Sequence, residues 1–161
     1  MVRYLFIFCL LISVSFFLTS EGRTAQDGHF YSTWDTLELD TCASAWLIKN
    51  FVDKEAEFKF YPKGEIITEG MPFDTPDAEL RRTANASAYE NALIKYKLTD
   101  PALIEIGNII HDIEINYWGQ KQKEESQVLK DKILPIIENS KTPEECFKKT
   151  FIVLDELYGQ L

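Results

Sequence analysis

The stretch Asp100-Pro101-Ala102-Leu103-Ile104-Glu105-Ile106-Gly107-Asn108-Ile109-Ile110-His111-Asp112-Ile113-Glu114 decides the fold class. Asp100 is an N-cap residue type. Pro101 suits the first helical position, where an amide would have no partner within the helix. Leu103, Ile106, Ile109, Ile110 and Ile113, with Tyr117 beyond them, recur at the spacing of one helix face. The spacing predicts a helix from Pro101 with that face inward.

The same signals extend in both directions. Downstream, Gly119 to Glu125 is a charged connection, and residues 126–139 place Leu129, Ile133, Ile136 and Ile137 on one face. Thr142-Pro143-Glu144-Glu145 has capping-box spacing, and the helix it opens buries Phe147, Phe151, Leu154, Leu157 and Tyr158. Upstream, Ser87 caps a helix through about Lys97. Asp40 and Thr41 are N-cap types before Ala43, Trp46, Leu47, Phe51 and Val52, which predicts a helix over 41–52. Between these helices, Glu57 to Tyr61 alternates like a short strand that Pro62 and Gly64 end. Glu65 to Thr68 is expected to pair back on it as a hairpin. Gly70, Pro72, Asp74, Pro76 and Asp77 mark an ordered loop, and residues 23 to about 32 read as loose. The expected fold is mainly α, a single helical domain over 23–161 with a small β-hairpin element.

Composition bounds the function. The 161 residues suit one domain, and 45% apolar with 27% charged residues is globular rather than disordered composition. With 26 acids against 17 bases and a net charge of −9, a dedicated nucleic-acid binder is excluded, because that function rests on neutralising phosphates. Two histidines and three cysteines exclude a metal site built mainly from those residues.

The first 22 residues read as a signal peptide. Arg3 supplies a basic start, Tyr4 to Leu18 is almost continuously apolar, and Thr19, Ser20 and Gly22 are small or polar. The run is shorter than the ~20 residues of a spanning helix. Cleavage after Ser20 or Gly22 would leave a soluble periplasmic or secreted chain without a membrane span. Cys9 lacks the small residues that precede a lipidated cysteine. The remaining Cys42 and Cys146 are either a disulfide, which that compartment permits, or two buried thiols.

Three groups carry candidate chemistry. His111 and Glu114 stand at i, i+3 and share a helix face among isoleucines. An imidazole with a carboxylate suits a divalent transition metal, with Glu90 as a third ligand. The bland alternative is a His–Glu hydrogen bond with Asp112 solvated. Arg81 and Arg82 at a loop-to-helix junction suit an oxyanion, or they pair with Asp74, Asp77 and Glu79 nearby. Cys42 near a helix start is either an activated thiol or a buried structural one. Asn85-Ala86-Ser87 fits a glycosylation acceptor. Motifs for Gly-rich phosphate loops, zinc proteases, serine hydrolases and C-x-x-C redox sites are missing from the sequence.

Three blocks carry a family resemblance. They are Asp40-Thr41-Cys42-Ala43-Ser44-Ala45-Trp46 running on to Phe60, Gly70-Met71-Pro72-Phe73-Asp74-Thr75-Pro76 with Ala78-Glu79-Leu80, and Asp100-Pro101-Ala102-Leu103 leading to Ile110-His111-Asp112-Ile113-Glu114. Together they resemble the chromate-resistance protein family of the ChrB C-terminal domain type, here as an exported subgroup. The resemblance implies an association with chromate resistance. It implies no direct transcriptional role for this chain, which carries a signal peptide where regulatory members carry a further N-terminal part. Relatives often carry a histidine shortly before the segment matching Ser87-Ala88-Tyr89-Glu90, and this chain has none there.

The leading expectation is therefore an extracytoplasmic domain binding a metal ion or a chromate-like oxyanion. His111, Glu114, Glu90 and Asp40 would be the metal ligands, and Arg81 and Arg82 would attract the anion. The alternatives are a metal-dependent redox enzyme acting on chromate or its by-products, and an interaction module with a protein partner that has kept the fold without the site.

Overall fold

A computed structural model describes residues 29–116 and 118–161. The segment read as a signal peptide, and Tyr117, expected to point inward, lie outside the described residues. Three short strands, β1 (Phe30–Trp34), β2 (Glu57–Tyr61) and β3 (Met71–Pro72), form one sheet in the order β2-β1-β3. Among the described residues, five α-helices cover it or pack on one another: α1 (Leu39–Leu47), α2 (Ala88–Tyr96), α3 (Pro101–Glu114), α4 (Glu124–Asn139) and α5 (Pro143–Tyr158). The chain is mainly α with a small β element, as expected. No helix among the described residues is long and apolar enough to cross a membrane.

The hairpin is corrected. β1 pairs in parallel with β2, Phe30 opposite Glu57 through Trp34 opposite Tyr61, and also in parallel with β3. Parallel neighbours need a crossover, and α1 with the π-helical turn Ile48–Val52 supplies it. Glu65 to Thr68 forms no strand. Residues 30–34, in part read as loose, are instead the central strand. Tyr31, Ser32 and Thr33 are buried there.

The third strand depends on a glycine. Ser32 Oγ donates to the Glu69 carbonyl at 2.7 Å. Gly70 then turns with φ +78, and a Cβ on it would lie 2.4 Å from that same Oγ. A side chain there meets both backbone strain and a clash.

The helical expectations hold with shifted ends. α1 starts at Leu39 behind Glu38, two residues before the expected start, and ends in the π turn. Asp100 caps α3 through the Ala102 amide at 2.8 Å, with Pro101 first in the helix. Ser87 caps α2 by accepting from the Glu90 amide at 3.1 Å, and Thr142 caps α5 likewise from Glu145 at 3.2 Å. Leu103, Ile106, Ile109, Ile110 and Ile113 are all buried. Trp46 lies at the centre of the core, its indole N–H donating to Asp155 Oδ1 of α5 at 2.7 Å. Phe58, Phe60, Phe147 and Phe151 join the sheet to α5 through edge-on and stacked rings.

Candidate functional site

α1, the sheet and the loop after β3 meet at one end of the molecule. The loop is held shut by the Phe73–Leu80 bridge, with the Asp74 amide donating to the Leu80 carbonyl at 2.7 Å. It delivers Arg81 and Arg82 beside the start of α1. Between these parts opens a cleft of about 480 Å³ lined by Trp34, Thr36, Thr41, Lys63, Thr75 and Arg81, with Asp74 and Arg82 along its inner side and the half-exposed Glu38 beside them.

Arg82 is the hub of that inner side. Its Nη1 lies 3.1 Å from Glu114 Oε2, its Nε 3.4 Å from Asp40 Oδ2, and its Nη2 2.9 Å from Glu38 Oε2. The Glu38 contact is an ion pair by distance but lacks hydrogen-bond alignment, so Nη2 is left without a bonded acceptor. Burial would lower the pKa of Arg82, but Glu114, Asp40, Asp74 and Glu38 outweigh it and hold the guanidinium charged. The sequence reading offered Asp74, Asp77 and Glu79 as counter-ions. Glu79 instead pairs with Lys95, and the direct partners of Arg82 come from the start of α1 and the end of α3.

Asp40 is fully buried and has a structural role. Its carboxylate accepts the amides of Ala88 at 2.7 Å and Tyr89 at 3.0 Å, so it holds the first turn of α2 rather than capping its own helix. Burial pushes its pKa up, while those two amides and Arg82 pull it back. Glu114 is raised to about 7, by burial first, with Asp40 and Glu38 adding repulsion against the pull of Arg82.

Asp74 was read from sequence as part of an ordered loop and as a possible counter-ion of the arginines. It is a non-glycine residue at φ +47, a conformation that costs energy and clusters at functional sites. Thr41 Oγ1 accepts from the Glu38 amide and donates to Asp74. Burial, then the nearby Asp40, push the Asp74 carboxyl well above the ordinary carboxylate range, despite the Thr41 bond. It therefore favours its neutral form more than an exposed aspartate does.

The cations at the cleft mouth are differently placed. Arg81 Nη1 donates to the Ala78 carbonyl at 3.0 Å, and neither Arg81 nor Lys63 forms an ion pair with a described carboxylate. Lys63 enters the cleft because its amide is held by Asp35 Oδ1 at 3.1 Å. The sequence reading gave Lys63, Glu38, Thr36, Thr41 and Thr75 no place in a binding site, because the cleft is assembled from segments far apart in the chain.

The expected metal ligands divide into two groups. His111 Nδ1 lies 3.0 and 3.1 Å from the two carboxylate oxygens of Glu90, so that ring nitrogen carries the proton and donates. Glu90 Oε2 also accepts the Ser87 amide at 2.8 Å. Asp40 and Glu114 meet separately on Arg82. Among the described residues, no group of three or more His, Cys, Asp or Glu side chains is placed to hold a metal ion. His111 and Glu90 instead border a second, open cleft of about 710 Å³ with Asn108, Asn116 and Lys123. Asp112, read as solvated, is buried. It accepts Asn116 Nδ2 at 2.9 Å and the amides of Gln122 and Lys123 at 2.8 and 3.2 Å, which fastens the α3–α4 connection. Cys42 is a buried free thiol in the first turn of α1.

These features define a mainly helical domain with a cation-rimmed polar cleft beside a buried carboxylate–arginine cluster. Residues 31–161 match the family model described as ChrB, C-terminal domain, and the chain belongs to that chromate-resistance-related family. No curated protein and no solved structure matches it.

Proposed function

We propose that this domain binds a small tetrahedral oxyanion of the chromate type in the cleft between α1, β1 and the 73–82 loop. The observation that carries the reading is the placement of Arg81 and Lys63 in the cleft lining with no ion pair to a carboxylate among the described residues, in a chain of net charge −9. An Arg fork matches two oxygens of such an anion, and a Lys ammonium adds a compact charge. Thr36 and Thr75 bring hydroxyls to the same space, while the Thr41 hydroxyl is spent on Asp74. Arg82, already surrounded by acids, acts as the fixed inner support rather than as the main anion ligand. Asp74 opposes the anion least when it is neutral. Membership of a chromate-resistance-related family supports the choice of anion. The apolar segment Tyr4 to Leu18 supports a place outside the cytoplasm. Titration of the protein with chromate and, separately, with sulfate tests the reading, because sulfate has the same shape and charge without the redox chemistry.

A second reading places a divalent transition metal on His111. One observation favours it: Glu90 holds Nδ1, the arrangement in which a carboxylate orients an imidazole so that Nε2 faces a metal. Glu90 would then orient the ligand rather than be one, and water would complete the sphere. The redox-enzyme alternative needs this second reading to hold first. A protein that takes up neither ion would be the interaction module.

A further inference from the structure

Cys42 of α1 and Cys146 of α5 stand with their sulfur atoms 3.9 Å apart, although 104 positions separate them in the chain. Both are free and buried. We propose that this pair is a disulfide-forming site, oxidised by exchange with a small disulfide of the glutathione type, which staples α1 to α5.

The geometry assigns the two sulfurs different parts. The thiols are in contact, and a bond of about 2.05 Å requires them to close by roughly 2 Å. Cys146 lines a cleft of about 250 Å³ with Asp35, Leu37, Ser140 and Thr142. Cys42 lies behind it with no exposed surface. An incoming disulfide therefore meets Cys146 first. The hydrogen bond with Cys42, then Ser140 and Lys149, lower the pKa of Cys146 against its burial. Cys42 is pushed up by the same hydrogen bond and by burial. Cys146 is the attacking thiolate and Cys42 the resolving thiol.

The exchange balances. The Cys146 thiolate attacks one sulfur of the oxidised reagent, the reagent's S–S bond breaks, and the first thiol leaves with the proton given up by Cys146. Cys42 then loses its proton and attacks Cys146 Sγ, and the second reagent thiol leaves carrying that proton. Two protein thiols are oxidised by two electrons and one reagent disulfide is reduced to two thiols. The new bond would join two helices that already pack together, one residue from Thr41 of the cleft.

The test incubates the folded full-length chain with oxidised glutathione, blocks residual thiols, and maps tryptic peptides without reduction. The expected product links peptide 24–49 to peptide 142–148, with Cys9 on its own peptide, 4–23. The cross-link should raise the Tm by about 10 °C, reversed by dithiothreitol, as closing a loop of this length implies. Cys42→Ser should leave a lasting glutathione adduct on Cys146, and Cys146→Ser should leave Cys42 unmodified. Two unreacted thiols in the wild-type fold, or a lasting adduct on Cys146 without a cross-link, would overturn the proposal. The wild-type map decides even if neither variant folds.

Discussion

Asp40 Oδ2, inside α1, accepts the backbone amide of Ala88 at the first residue of α2 at 2.7 Å, across 48 positions of sequence. One buried carboxylate thereby anchors a second helix and the arginine that supports the cleft. A helix N-terminus whose amides lie in the core needs such an acceptor, because an unsatisfied buried donor costs about 1–3 kcal/mol.

Asp40→Ala should therefore destabilise the fold by about 3–5 kcal/mol, the usual cost of breaking a buried ion pair from one side. Asp40→Asn keeps one acceptor oxygen for the amides and should lose less. Urea unfolding of both variants checks the order. Equal losses would mean that the charge on Asp40, and not the capping, is what matters.

Glu114 makes stability depend on pH. Its carboxyl titrates near 7 in the fold against 4.5 as an ordinary glutamate. Between those values the folded chain holds a proton that the unfolded chain has released. Stability from this group is full below about pH 4.5 and is lost as pH rises toward 7. At roughly 1.4 kcal/mol per unit, the loss is on the order of 3 kcal/mol. Glu114→Gln should flatten the curve in that window. A wild-type stability that rises from pH 5 to 7 as steeply as in the variant would contradict this.

Two glycines separate strain from space. Gly64 has φ +87 with nothing within 4 Å of a Cβ, whereas Gly70 has φ +78 and would press a Cβ onto Ser32. Gly64→Ala should cost about 1 kcal/mol, the backbone part alone. Gly70→Ala should cost about 2–4 kcal/mol, because the close contact adds to the strain. Thermal unfolding of the two variants measures the difference.

The metal reading rests on His111. Titration with Zn²⁺ or Ni²⁺ should show one site, lost in His111→Ala and weakened several-fold in Glu90→Gln, which still holds the ring less firmly. A site unchanged by His111→Ala would remove this histidine from it.

The helices were legible because their signals are local. Asp100, Ser87 and Thr142 each bond to an amide within three residues, and the isoleucines of α3 repeat along one short segment. β1 was not legible. Its partners lie in segments well downstream, and a parallel crossover leaves no turn residues to announce the pairing. Ser32, buried at its centre, reads in sequence as loop. The cleft was legible only at Arg81 and Arg82. Of the nearest acids in sequence, Asp74 does act on Arg82, but Glu79 pairs elsewhere, and folding brings Glu38, Asp40 and Glu114 to Arg82 from distant segments. Asp40 was read as an N-cap type and as a metal ligand, because its partners in the fold, the Ala88 and Tyr89 amides, carry no side-chain signature at all.

The most direct test of the oxyanion cleft is calorimetric titration of the protein with chromate, repeated with Arg81→Ala and with Lys63→Ala. The cleft predicts one saturable site, competed by sulfate, weaker at pH 8 than at pH 6 as Glu114 ionises beside Arg82, Asp40 and Glu38. Each substitution should weaken it at least tenfold, the loss of one charge-assisted contact. An affinity unchanged by both substitutions, or no saturable binding at all, would contradict it.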